Sequence, residues 1–79
     1  MKIGVVGLGY VGLVTAAVLA DQGHYIVGVD IDESKVKGLN CNRVPIYEPG
    51  LEELIAKNRE RLQFTTKYED LSDVDLAFI

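Results

Sequence analysis

Tryptophan is absent from this sequence of 79 residues, and cysteine, histidine and methionine each occur once. A lone cysteine, Cys41, cannot close an internal disulfide; it fits a reducing cytoplasm and removes a disulfide scaffold from consideration. Cys41 and His24 also form no metal-ligand spacing, so no metal site is expected. Positive charge is the minority, with 8 Lys and Arg against 12 Asp and Glu and a net charge of −4. The basic residues are scattered among acids, so nothing clusters to neutralise phosphates and nucleic acid is not an expected partner. Proline occurs only at Pro45 and Pro49, which confines the strongest helix breakers to one stretch.

Apolar residues make up 48% of the chain, which places it among globular rather than disordered sequences. Its length falls below the usual range of roughly 100–200 residues per domain. The sequence closes on the apolar run Asp75–Ile79 with no turn, cap or polar tail behind it. Residues 1–79 are therefore expected to be the N-terminal part of a domain from a longer protein, with catalytic residues outside it. Ile3 to Ala20 is uncharged and follows Lys2, which superficially resembles a signal peptide or a short membrane span. Gly4, Gly7, Gly9 and Gly12 argue against both, because each glycine inside a helix costs about 1 kcal/mol relative to alanine. Strand, glycine turn and helix fit every residue, so no membrane segment is expected and the location is taken as cytoplasmic.

The pattern along the chain alternates strands and helices. Lys2–Val6 suits a parallel strand covered on both faces. Val11 to Gln22 reads as a helix, with Val11, Val14, Val18 and Leu19 on one side and Gly12, Ala16, Ala17 and Ala20 giving small contacts. Gly23 stands where a C-cap glycine belongs, with His24 satisfying the helix end. Tyr25–Asp30 is a second strand. Asp32 caps a helix from Glu33 to about Leu39. Asn40 to Pro49 is a loop, and Leu51 to about Arg59 an amphipathic helix. Leu62–Thr66 alternates as a third strand, Tyr68–Ser72 makes a short helical turn, and Val74–Ile79 is a fourth strand. Right-handed crossovers then give an α/β fold: a Rossmann-type parallel sheet of order 3-2-1-4, cut after its fourth strand. The crossover from the second strand to the third is long and holds two helical segments where one would suffice.

The stretch Gly7-Leu-Gly-Tyr-Val-Gly12 carries the chemistry. Gly7 permits the tight turn, Gly9 lets a pyrophosphate approach the backbone, and Gly12 lets the helix pack close to the strand. Amides at the helix start, with the helix dipole behind them, then bind the anion. Glycine patterns of this length occur by chance, but here a strand precedes, a helix follows, and Asp30 ends the second strand about 20 residues later, where a ribose-binding acid belongs. A carboxylate there accepts bonds from ribose hydroxyls and would repel a 2′-phosphate by roughly 4 kcal/mol at 4 Å in an effective dielectric of about 20. Asp32 and Glu33 add to that repulsion and no arginine follows the strand, so NAD is favoured over NADP by about three orders of magnitude. Lys35 reads equally well as a ribose or phosphate contact and as a solvated helix side chain. Cys41 reads as a bystander, having no placed base. Glu48 is either a polar contact within the cofactor domain or part of the following helix start.

Gly7-Leu-Gly-Tyr-Val-Gly-Leu13, Gly28-Val-Asp-Ile-Asp32 and Pro45-Ile-Tyr-Glu-Pro-Gly-Leu51, in this order and spacing, resemble the UDP-glucose/GDP-mannose dehydrogenase family over essentially the whole chain. The third segment is the most particular of the three, and Tyr47 makes it most like the UDP-glucose members. The resemblance implies oxidation of a nucleotide-sugar C6 alcohol to a carboxylate with two NAD per turnover, in a homo-oligomeric parent. It implies a nucleophilic cysteine far downstream that forms a thiohemiacetal; Cys41 does not match it, so no catalytic residue is expected in this chain. The family's NAD contacts carry over to Gly7, Leu8, Gly9, Tyr10, Val11, Gly12, Asp30 and Lys35, which favours the contact reading of Lys35. The substrate would be held outside these residues. A non-catalytic NAD-sensing module, or another hydroxyl dehydrogenase, shares the glycine turn and the acid but leaves the long crossover unexplained.

Overall fold

A computed structural model describes all 79 residues. Short runs rich in apolar residues form the strands β1 (Lys2–Val6), β2 (Tyr25–Val29), β3 (Leu62–Thr65) and β4 (Leu76–Phe78), with the helices α1 (Tyr10–Asp21), α2 (Glu33–Asn40) and α3 (Leu51–Lys57) between them. Single 3₁₀ turns cover Arg59–Arg61 and Tyr68–Leu71. The strands form one sheet of order β3-β2-β1-β4. Every pairing is parallel, with Val6 beside Val29, Ile26 beside Leu62 and Ile3 beside Leu76. This is the expected order, and it follows from the one-handed β-α-β crossover.

The two sheet faces are built differently. On one face α1 and α3 pack together, with Ile3, Val5, Leu13, Ile26, Ile55 and Leu62 among the buried residues. Removing each large side chain of this kind from water stabilises the fold by about 1.5–3 kcal/mol. On the other face Gly4 leaves the space taken by Leu71 and Val74 from the turn before β4. Lys2 ties β4 to β1: its amide donates to the Asp75 carboxylate at 2.8 Å, its carbonyl accepts the Asp75 amide at 2.7 Å, and its ammonium meets Asp73 at 2.8 Å.

The caps follow from the residues found there. Asp32 accepts the Lys35 amide at 3.1 Å and starts α2. Gly23 has φ of +101°, and behind it the His24 amide donates to the Leu19 carbonyl at 3.2 Å, closing the end of α1. Asn58, only 2% exposed, joins the ends of α1 and α3. Its Nδ2 donates to Asp21 and to the Leu54 carbonyl, both at 3.0 Å, while its Oδ1 accepts from Arg61 at 3.1 Å.

The small contacts expected of α1 are the ones that pack: Ala16, Ala17 and Ala20 are buried together with Leu13, letting the helix approach the sheet, while Val11 and Val18 are exposed. Two expected boundaries are corrected. The third helix ends at Lys57 rather than near Arg59: the Asn58 amide makes the last α-helical bond, to the Leu54 carbonyl at 3.2 Å, and the chain then tightens into the 3₁₀ turn, where the Arg61 amide returns to the Asn58 carbonyl at 2.9 Å. The fourth strand is Leu76–Phe78 rather than Val74–Ile79, since Val74 donates to Leu71 and stays in the preceding turn.

Two substitutions test this packing. Alanine at Gly12 gains about 1 kcal/mol of helix propensity, but its Cβ would overlap the Gly7 carbonyl oxygen. Overpacking of about 1–3 kcal/mol outweighs the gain, so Gly12→Ala is expected to lower the urea midpoint of the full-length protein. Asn58→Ala strips the Leu54 carbonyl of its side-chain donor and opens a buried space, and is expected to cost about 1–3 kcal/mol by the same measurement.

Candidate functional site

The turn between β1 and α1 lies at the carboxyl end of the sheet. Gly7 has φ of +92°, a left-handed conformation that L side chains rarely adopt, and its amide donates to the Val29 carbonyl at 2.8 Å. Gly9 is the N-cap of α1, with extended backbone and no side chain to bond the helix amides. A Cβ on Gly9 would meet nothing within 4 Å, so the space beside it is open. The first helix bond runs from the Leu13 amide to the Gly9 carbonyl at 2.9 Å. The amides of Gly9, Tyr10, Val11 and Gly12 therefore have no acceptor within the protein, and the first turn of α1 contains no acidic residue. Converging N–H groups with the positive end of a helix dipole behind them form an anion site.

Asp30 stands just past β2, within reach of that turn. One carboxylate oxygen accepts the Leu8 amide at 2.8 Å and faces the Lys35 ammonium at 3.5 Å. The other accepts the Asp32 amide at 2.9 Å. Burial works to raise the acid's pKa, but the Asp32 and Leu8 amides and the Lys35 charge outweigh it and hold Asp30 below the ordinary carboxylate range. The result is an ionised, oriented acceptor with lone pairs to spare, suited to a pair of sugar hydroxyls. The Lys35 ammonium offsets part of the repulsion that Asp30 presents to a phosphate.

The residues expected to contact the cofactor gather here, in different roles. Gly7, Gly9 and Gly12 shape the turn, while Tyr10 and Val11 offer amides with side chains 54% and 73% exposed. The Leu8 side chain is fully buried in the core, and its amide serves Asp30. Lys35 reaches Asp30, which the pattern left open. Both readings left open for Glu48 hold: its carboxylate accepts the Tyr10 hydroxyl at 2.6 Å, and its carbonyl accepts the Leu51 amide that starts α3 at 3.0 Å. Nothing in local spacing signals a contact across 38 positions. Cys41 is exposed at the end of α2, away from these groups. A groove of about 270 Å³ runs from Gly7 and Gly12 past Val11 and Thr15 to Phe78. It opens between β1 and β4, the switch point where open parallel sheets bind ligands. Free amides, the open side of Gly9 and the prepared carboxylate together fit a dinucleotide with a diphosphate and a free ribose diol. No helix is long and apolar enough to cross a membrane.

Comparison with known proteins gives a consistent result. The sequence model of the UDP-glucose/GDP-mannose dehydrogenase family NAD binding domain matches residues 1–79. The UDP-glucose 6-dehydrogenase AglM of Haloferax volcanii is 45% identical over 80 residues, covering 100% of this chain and 19% of its own length. The UDP-glucose 6-dehydrogenase YwqF of Bacillus subtilis is 48% identical over 82 residues, with the same coverage of 100% and 19%. Among solved structures, the 1.55 Å crystal structure of a ternary complex of GDP-mannose dehydrogenase from Pseudomonas aeruginosa superposes with a TM-score of 0.94 at 43% identity, covering 100% of this chain and 19% of that one. The chain thus spans about a fifth of the length of these relatives. On its fold, its glycine turn and these matches, the chain belongs to the UDP-glucose/GDP-mannose dehydrogenase family, to its NAD-binding domain.

Proposed function

We propose that these residues are the N-terminal part of the cofactor domain of an NAD-dependent nucleotide-sugar 6-dehydrogenase, and that the full-length protein oxidises the C6 alcohol of UDP-glucose, or of a related UDP- or GDP-sugar, to the uronate. The reading is supported above all by the run of unpartnered amides from Gly9 to Gly12 beside the prepared Asp30 carboxylate. Two relatives named as UDP-glucose 6-dehydrogenases support the substrate class. The parent is proposed to be a cytoplasmic homo-oligomer.

In this reading each residue has a physical task. The amides of Gly9, Tyr10, Val11 and Gly12 hold the diphosphate, and Gly7 sets the turn that exposes them. Asp30 accepts the adenosine ribose hydroxyls, and Lys35 both neutralises it and stands near enough to meet the ribose. NAD, when bound, would supply the hydride acceptor: alcohol to aldehyde and thiol-bound aldehyde to thioester would each pass a hydride to one NAD and release a proton, and water would then hydrolyse the thioester to the acid and the free thiol. Residues outside this chain supply the nucleophile and the sugar contacts.

The activity is tested by following NADH absorbance when the full-length protein is mixed with NAD and a panel of UDP- and GDP-sugars; no turnover with any of them rejects the assignment. Asp30→Ala removes a charged acceptor, worth roughly tenfold to a hundredfold in NAD affinity, and narrows the gap to NADP. Titration curves unchanged for both nucleotides would remove Asp30 from the site. The pH dependence follows from its lowered pKa. The stabilising and ribose-binding form is complete above the unfolded value near 3.9 and is lost only as pH falls through the lower folded value. The Asp30 contribution to NAD affinity, wild type against Asp30→Ala, is therefore expected to stay level from pH 8 to about pH 5; a fall beginning near pH 6 would contradict it.

A further inference from the structure

The segment between α2 and α3 carries both prolines and rests Val44 and Ile46 against the core. Within residues 44–50, Glu48 provides the one side chain that hydrogen-bonds another element, through its 2.6 Å contact with the Tyr10 hydroxyl. That length is typical of a hydroxyl donating to a charged carboxylate. Tyr10 is the first residue of α1, directly behind Gly9, and its own amide is among the unpartnered ones. A half-exposed tyrosine with a free hydroxyl exchanges rotamers on the picosecond-to-nanosecond scale; bound to Glu48, the ring keeps one orientation. The hydrogen bond and the charge of Glu48 also hold the phenol above its ordinary pKa, so it remains a donor at neutral and mildly alkaline pH.

A carboxylate near this helix end is electrostatically unfavourable for binding an anion. Its presence there therefore calls for a task that geometry supplies. We propose that Glu48 is a positioning residue for the dinucleotide, acting through Tyr10: the hydroxyl–carboxylate bond ties the crossover loop to the phosphate-binding end of α1 and keeps the tyrosine ring clear of the open amides. This rests on the assignment of Gly7–Gly12 as the diphosphate site. Ordering loop and ring before the ligand arrives removes an ordering cost from binding. Position and charge then act in opposite directions, which makes the two separable by substitution.

The experiment is an NAD titration by calorimetry of the full-length protein, with Tyr10→Phe, Glu48→Ala, Glu48→Gln, the Tyr10→Phe/Glu48→Ala pair, and Asp30→Ala as reference. Tyr10→Phe and Glu48→Ala are each expected to weaken NAD roughly threefold to tenfold. The pair should bind no more weakly than its weaker member. Glu48→Gln keeps an acceptor and drops the charge, and should bind NAD at least as tightly as the wild type. Amide exchange over residues 44–50 should rise in Tyr10→Phe and Glu48→Ala and stay low in Glu48→Gln. Wild-type affinity in both single deletions, tighter binding by Glu48→Ala, additive losses in the pair, or Glu48→Gln as weak as Glu48→Ala overturns the proposal. If Glu48→Ala does not fold, Tyr10→Phe against Glu48→Gln decides alone. Asp30→Ala separates the two levels: if it weakens NAD while the others do not, only the tie between loop and helix fails, and if it too has no effect, the nucleotide assignment fails with it.

Discussion

The bond from the Leu8 amide to the Asp30 carboxylate joins the turn after β1 to the bend after β2, and the site takes its shape from that junction. Leu8 is buried in the core, so its amide direction is fixed by packing as well as by the strand behind it. The carboxylate spends one lone pair there and another on the Asp32 amide, and Asp32 in turn caps α2. Three loop residues thus brace one another at the carboxyl end of the sheet. The neighbouring amides at the start of α1 are left without acceptors because the N-cap is a glycine and the first turn lacks acids. Burying unpaired amides would be costly, and these are tolerable because they open to solvent or to an anion.

The long crossover serves this end of the molecule as well as covering the sheet. α3 lies beside α1, fastened by the Asn58–Asp21 bond at one end, while Glu48 reaches Tyr10 from the loop at the other. A single helix leading directly from β2 to β3 would have no segment to place beside the glycine turn. The loop's prolines limit its unfolded freedom, and Gly50, with φ of +86°, turns it into α3.

Much of this was legible in the sequence wherever one residue type meets a requirement no other meets. Gly7 and Gly12 announced the turn through conformation and close approach, Asp30 through its position after an apolar strand, and the sheet order through alternation of element types. What escaped the sequence lies in contacts between distant elements. In α1 the small side chains of Ala16, Ala17 and Ala20 signalled close contact, but nothing local showed that Leu13 would join them while Val11 and Val18 stay exposed. Nothing in local spacing marks Asn58, which only the approach of α1 buries against Asp21. Nor does any pattern mark Arg59, whose guanidinium lies 5.6 Å from the Phe64 ring centre and donates to Asn40. Such placements depend on where two elements arrive in space, which no local periodicity encodes.

The double duty of Asp30 bears on any attempt to retarget the domain. Nucleotide preference and loop architecture are written into one side chain, so the two cannot be edited independently. Exchanging the acid for a neutral residue would invite a phosphorylated ribose, and would also release the Leu8 and Asp32 amides that keep both loops in register. A cofactor swap in this scaffold is a problem of rebuilding a junction, and a substitute must first offer those amides a new acceptor.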